Sequence, residues 1–213
     1  MTLCISQLAF ERNNEPLFHP IDCTVSTSEI LQVRGANGCG KSTLLRIFAG
    51  YISPEMGTIF WQGKNIFQQR DEYIQQLCYI GHQNGIKLHL TVSENLKLIC
   101  ALANQKIPHS SFKKILHTMQ LENIEHTQAI HLSAGQKRRL ALARLLLMNT
   151  RLWILDEPMT SLDQAGQTLI ADLLNQHIAQ GGMAVVATHH DLKMTGKMLY
   201  LPDANYSVMP ACF

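Results

Sequence analysis

The sequence predicts an α/β fold in which strand–helix alternation is interrupted by a helical block, and three observations carry that expectation. A glycine-rich turn from Gly35 to Gly40 joins a strand-like run at 30–34 to a helix-like run at 42–49. An apolar run at 152–155 ends in two carboxylates, Asp156 and Glu157, as a strand buried on both faces would. Between them, from about 84 to 148, the pattern is helical, and strand–helix alternation resumes afterwards.

The elements follow in order. Residues 3–33 alternate short β-like runs with turns such as Arg12-Asn13-Asn14-Glu15-Pro16, and read as antiparallel strands leading into the glycine-rich turn. Residues 58–62 and 78–81 are further short strands. Thr91, with Glu94 three residues on, forms a capping box for a helix over 95–103. Pro108 breaks the chain before a helix at 110–119. A third helix over 134–148 is basic early and apolar late. Residues 151–155 form a buried strand, 165–179 a helix and 183–188 a strand.

Bulk properties narrow the function classes. The 213 residues are 46% hydrophobic, enough for a core, and the net charge of +2 offers no broad basic field for nucleic acid or anionic lipid. No apolar run approaches the roughly 20 residues that span a bilayer, and the N-terminus has neither a basic region nor an apolar signal core. The six cysteines, at 4, 23, 39, 78, 100 and 212, form no C-x-x-C pair, which points to reduced thiols rather than disulfides or zinc. No internal repeat or long linker is visible, and the stretch after Pro202 is too short for a regulatory domain.

Gly35-Ala36-Asn37-Gly38-Cys39-Gly40-Lys41-Ser42-Thr43 fits G-x-x-x-x-G-K-[ST] at every required position. Glycines let backbone N–H groups turn inward around phosphates, Lys41 reaches the β- and γ-phosphates, and the Ser42 hydroxyl can ligate Mg²⁺. The helix that follows would point its positive N-terminus at the same phosphates. Asp156, at the end of a neighbouring strand, would hold Mg²⁺ directly or through water, and Glu157 would orient and deprotonate the attacking water. Leu132-Ser133-Ala134-Gly135-Gln136 adds a helix start: Ser133 is a capping type, and Gly135 permits close backbone approach.

The pentapeptide L-S-x-G-Q resembles the signature of the ATP-binding cassette (ABC) superfamily, and the chain resembles an ABC transporter nucleotide-binding subunit over essentially its whole length. The resemblance implies a P-loop NTPase ABC cassette over 1–213, with a RecA-like mixed-sheet core, an antiparallel β subdomain and a helical subdomain at about 84–148. The cofactors implied are ATP and Mg²⁺. Two subunits would sandwich two ATP molecules as a homodimer, the Ser133, Gly135 and Gln136 region of each covering the phosphate loop of the other. Ser161-Leu162-Asp163 looks like the loop that contacts the opposite subunit, and His189, after Thr188, like the switch histidine that touches the γ-phosphate. His190 stands where an acidic residue is usual and receives no role.

Two positions depart from the superfamily pattern. The glutamine usual in the loop entering the helical subdomain is replaced by His82, with Gln83 beside it, and either can serve. Histidine, unlike glutamine, titrates near neutral pH. The aromatic ring usual against adenine falls in a zone where Phe10 and Arg12 both qualify, the latter by stacking its guanidinium.

The run from Tyr79 to Lys87, the segment from Leu132 to Leu145, Leu152-Trp153-Ile154-Leu155-Asp156-Glu157-Pro158 and Phe60-Trp61-Gln62-Gly63 are similar to the cytochrome c maturation ATPases, the haem-exporter family. That resemblance implies a polytopic membrane permease as partner. It also implies a peripheral location on the cytoplasmic face of the inner membrane, and ATP hydrolysis coupled to haem export or to release of a haem-loaded chaperone. Residues 84–131, in particular Gly85-Ile86-Lys87 and the helix at 95–103, would meet the permease. There is no C-x-x-C-H motif, and none of the ten histidines is assigned to haem. The alternatives are an ABC transporter ATPase for another solute and a soluble non-transport ABC ATPase.

Overall fold

The computed structural model describes residues 1–12, 15–189, 192 and 194–201. The turn residues Asn13 and Asn14, His190 and the C-terminal stretch from Pro202 lie outside the described residues. Two sheets form the framework. The first is antiparallel, with strand order β2-β1-β4-β5. It comprises β1 (Thr2–Arg12), β2 (Glu15–Ser26), β4 (Met56–Trp61) and the two-residue β5 (Lys64–Asn65). In β1 the buried residues are Leu3, Ile5 and Leu8, a spacing that strict alternation would not keep on one face. Gln7 resolves it: its backbone is left-handed (φ 48°) and the pairing to β2 and β4 shifts register around it. That bulge resets the phase so that Leu8 returns to the buried face.

The second sheet has the order β6-β7-β8-β3-β9. Its strands are β3 (Ile30–Arg34), β6 (Leu77–Ile80), β7 (Leu152–Asp156), β8 (Met183–Ala187) and β9 (Lys197–Tyr200). Every described pairing in it is parallel. The core sheet, expected to be mixed, is parallel at every described pairing, and the antiparallel pairing is confined to the other sheet, as expected of the β subdomain. β7 and β8 are buried at all five positions, the pattern of strands covered on both faces. Alternate residues feed two cores. Leu152, Ile154, Met183 and Val185 pack with α1 (Lys41–Phe48) and the antiparallel sheet. Trp153, Leu155, Ala184 and Val186 pack on the other side with residues of the helical segments. Full burial of one such aliphatic side chain contributes about 1.5–3 kcal/mol.

The remaining helices are α2 (Arg70–Ile74), α3 (Val92–Leu102), α4 (His109–Thr118), α5 (Ala134–Leu142), α6 (Arg144–Leu147) and α7 (Gln164–Ala179). Helix α3 starts straight after Thr91, whose capping box with Glu94 is formed in both directions. The single helix expected over 134–148 is corrected to two, interrupted at Ala143. The cause is local: Arg144 Nε donates to the Ala141 carbonyl, and Leu146 N bonds Ala143 O with three-residue spacing. Strand β9 was not anticipated; it is an exposed edge strand opening on Lys197, the kind of residue that blunts a sheet edge. No described helix is long and apolar enough to cross a membrane.

Because the sheet is parallel, the carboxyl ends of β3, β6, β7 and β8 lie along one edge, the usual place for a ligand crevice in such sheets. Their pairing is level: Val33 and Asp156 both stand opposite Ala187, and Ile80 opposite Leu155.

Candidate functional site

A cleft of about 450 Å³ opens at that edge. From the glycine-rich turn it is lined by Asn37, Gly38, Gly40, Lys41, Ser42 and Thr43. Gly40 is left-handed (φ 100°), and a β-carbon there would come 2.8 Å from Leu17, so both the turn into α1 and its packing call for glycine. Gly35, Ala36 and Cys39 form the rest of the turn, with Cys39 buried beneath it. The Lys41 ammonium lies over the turn, donating to the carbonyls of Gly35 and Ala36 at 2.8 Å each.

Opposite stand Asp156, Glu157, Thr160, His82 and His189. Asp156 is 2% exposed, and its Oδ2 has no hydrogen-bond partner among the described residues. An unpaired buried carboxylate oxygen is costly unless something positive meets it. Glu157 has a left-handed backbone (φ 49°), a conformation that costs a non-glycine residue about 1–3 kcal/mol and clusters at working sites. Its Oε2 accepts from the His189 backbone N–H at 3.4 Å. Its Oε1 lies 3.5 Å from His189 Nε2 and makes no hydrogen bond among the described residues. The same Nε2 is 2.8 Å from Asn37 Oδ1. With that oxygen as the acceptor, the network assigns the proton to Nε2. One imidazole thus bridges the phosphate loop and the acidic turn.

The other candidates fall as follows. Arg12 lines the cleft, whereas Phe10 is half-buried and stacks on Phe18 with ring centroids 6.4 Å apart. His82 lines the cleft; Gln83 is exposed and does not. Ser133, Gly135 and Gln136 do not line it either. Ser133 Oγ accepts from Gln136 N at 3.2 Å and Gln136 Oε1 accepts from Ser133 N at 2.9 Å, a reciprocal cap at the start of α5. Gly135 lies against the loop carrying Ser161.

Sequence reasoning missed Arg138. It is 3% exposed on α5 and spends its guanidinium on the backbone behind the cleft. Nη2 donates to the carbonyls of Asp156 and Glu157 at 2.8 Å each, and Nε to that of Pro158 at 3.2 Å. Nη1 donates to Gly81 O at 3.0 Å and Asn84 Oδ1 at 3.1 Å. Burial pulls its pKa below the ordinary value, the nearby charges of Asp156 and Glu157 oppose that, and Arg144 adds to it; a guanidinium stays charged regardless. The signal was present in the periodicity. Residues 138, 141, 142 and 145 share the buried face of the helical run, so an arginine sits in an apolar stripe and requires acceptors there. Leu17 and Thr160 also line the cleft without having been candidates.

Residues 18–160 match the family described as ABC transporter. The chain is 42% identical over 191 residues to the cytochrome c biogenesis ATP-binding export protein CcmA of Albidiferax ferrireducens, covering 90% of this chain and 91% of that one. It is 40% identical over 200 residues to the protein of the same name from Cupriavidus pinatubonensis, covering 94% and 88%. Among solved structures it resembles an ABC transporter ATP-binding protein from Pyrococcus furiosus, with TM-score 0.83 and 21% identity over 94% of this chain and 98% of that one. It also resembles a dimeric bacterial ABC transporter cassette, with TM-score 0.83 and 22% identity over 95% of each chain. These two structures bear on the fold alone.

Proposed function

This chain belongs to the ABC transporter family, and from that membership we propose that it is the ATP-hydrolysing subunit of a membrane complex for cytochrome c maturation, with 1–213 a single cassette. The observation that carries the chemistry is the meeting of the phosphate loop, Asp156, Glu157 and His189 in one cleft. Backbone N–H groups of the loop and the N-terminus of α1 receive the phosphates, and Lys41 exchanges its two loop carbonyls for phosphate oxygens. Asp156 Oδ2, buried and unpartnered among the described residues, suits a hard cation, and Ser42 Oγ from the same cleft completes the protein's share of an Mg²⁺ site. Bound there, Mg²⁺ would neutralise charge on the β- and γ-phosphate oxygens.

Glu157 orients a water and takes its proton as the water oxygen bonds to the γ-phosphorus and the bond to the ADP oxygen breaks. His189, steered by Asn37, donates toward the γ-phosphate. His82, which lines the cleft, positions that water, and Gln83, which does not line it, takes no part. Arg12 stacks on the base, a reading supported by its lining the cleft while Phe10 packs on Phe18. The capped start of α5, with Ser133, Gly135 and Gln136, serves a second copy's nucleotide, so hydrolysis belongs to an ATP-bound homodimer. The partner on the cytoplasmic face of the membrane is an integral permease, and the work done is haem export or release of a haem-loaded chaperone.

The test is Glu157→Gln. It should bind ATP, accumulate as a dimer by size exclusion and lose about 10²–10⁴-fold in hydrolysis; a normal rate would remove Glu157 as the base. Purified from native membranes with ATP, the same variant should bring down a multi-span permease with cytochrome c maturation proteins. An unrelated permease would overturn the substrate class and leave the mechanism.

A further inference from the structure

We propose that Arg138 is a positioning residue for hydrolysis, its guanidinium fastening the Asp156–Glu157 turn and the 81–84 loop that carries His82 to the start of the signature helix as one unit. The inference rests on the reading of Glu157 as the base. A guanidinium has five N–H donors, and Arg138 has five acceptors within 3.2 Å drawn from two separate segments. Four of these acceptors are main-chain carbonyls. The group therefore fixes backbone, and through it the direction of the side chains that reach the cleft.

The Glu157 turn needs such a hold. Left-handed backbone at a glutamate persists only where surroundings over-determine it, and the carbonyls of 156, 157 and 158 all accept from Arg138. On its far side the fork takes Gly81 O and Asn84 Oδ1, which flank His82 and Gln83. Arg144 adds a bond from Nη2 to Asn84 O at 3.3 Å. No carboxylate oxygen touches Arg138 in this set, so its role is geometric rather than that of an ion-pair partner. Lysine keeps the charge but offers three donors from one point and cannot span both segments.

The experiment uses the full-length chain and four variants: Arg138→Lys, Asn84→Ala, Glu157→Gln and the Arg138→Lys/Glu157→Gln pair. Hydrolysis at saturating ATP is measured per nucleotide-binding molecule, alongside KM, the Kd of a fluorescent ATP analogue and Tm. Arg138→Lys should hold Kd within about threefold while kcat falls about tenfold to a hundredfold, the scale of a misplaced catalytic group. Added to Glu157→Gln, it should cost several-fold less than in the wild-type background, because most of its effect passes through that carboxylate. Asn84→Ala removes one of the five acceptors and leaves the four main-chain carbonyls, and should lower kcat several-fold on the same logic; it keeps the idea exposed if Arg138→Lys fails to fold. A kcat per binding molecule within twofold of wild type in the folded variants overturns the proposal, as does a full multiplicative loss in the pair. Glu157→Gln at the normal rate overturns it together with the base assignment, whereas an inert Glu157→Gln beside an unaffected Arg138→Lys overturns it alone.

Discussion

A β-carbon on Gly135 would stand 3.0 Å from the carbonyl oxygen of Ser161. The first turn of α5 and the loop after β7 therefore run backbone against backbone, and both belong to the surface proposed to meet a second copy. Alanine there requires a shift of a few tenths of an ångström; valine requires more. Gly135→Val should lose about 1–3 kcal/mol of stability through overpacking. Its hydrolysis, measured by phosphate release per folded molecule, should fall at least tenfold, while the nucleotide Kd of the monomeric chain stays within a factor of two or so, because the phosphate loop is untouched.

His189 joins Asn37 and Glu157 across 152 and 32 residues of sequence. His189→Ala removes both the ring and its link, and should lower kcat about a hundredfold with little change in nucleotide affinity. Asn37→Ala leaves the ring but frees its orientation, so a loss of only several-fold is expected. Steady-state kinetics on the two variants orders them; equal losses would mean that the ring acts only when Asn37 holds it, and no loss at His189→Ala that the ring does nothing in the cleft.

Tyr73 is fully buried and donates its hydroxyl to the carbonyl of Phe48 at 2.6 Å, tying α2 to the last turn of α1. Tyr73→Phe keeps the packing and orphans a buried acceptor, which should cost about 1–3 kcal/mol. For a chain of this size each kcal/mol lowers Tm by about 2–4 °C. Calorimetry on the variant checks the number, and an unchanged Tm would show that the carbonyl finds another donor.

His177 stacks on Trp153 with ring centroids 3.8 Å apart and planes within 6°. Burial, the largest influence, holds its pKa below the ordinary 6.5, opposed by bonds to the carbonyls of Met183 and Arg151. The folded pKa lies below the unfolded one, so the unfolded chain binds the proton more readily. Stability is fully present above about 6.5. It falls as pH drops from there through the folded pKa, then levels. His177→Phe preserves the stack without titrating but loses the bond to the Met183 carbonyl, so melting curves from pH 8 to 5 should show an offset that is constant in the upper half and changes only in the acidic half. A constant gap would assign the dependence elsewhere.

The parts of the fold that were legible in the sequence are those whose cause is local. The Thr91–Glu94 box, the strand before Gly35 and the apolar run into Asp156 each follow from neighbouring residues, and each appears where its residues are. The bulge at Gln7 and the break at Ala143 were not legible. One depends on which face of β1 the core occupies, the other on a side chain competing for a helical carbonyl. In the site, sequence motifs named most of the groups that line the cleft, though not Leu17 or Thr160. The motifs left Phe10 and Arg12, and His82 and Gln83, unresolved in pairs: the register shift between Phe10 and Glu11 breaks the alternation that would relate the first two, and adjacent loop residues carry no periodicity at all. Arg138 escaped because its acceptors are main-chain carbonyls, which any sequence would supply.

The level ends of β3, β7 and β8 make residue count a ruler. One residue of strand advances the chain by about 3.3 Å, so a single insertion inside β7 would carry Glu157 past its partners on β8 and turn the opposite face of the strand to each core. The loops between strands can lengthen at a cost that grows only slowly with length. Variation in chain length among proteins that keep this cleft is therefore confined to the connections, and the spacing from the start of each strand to its last buried residue is a dimension of the catalyst.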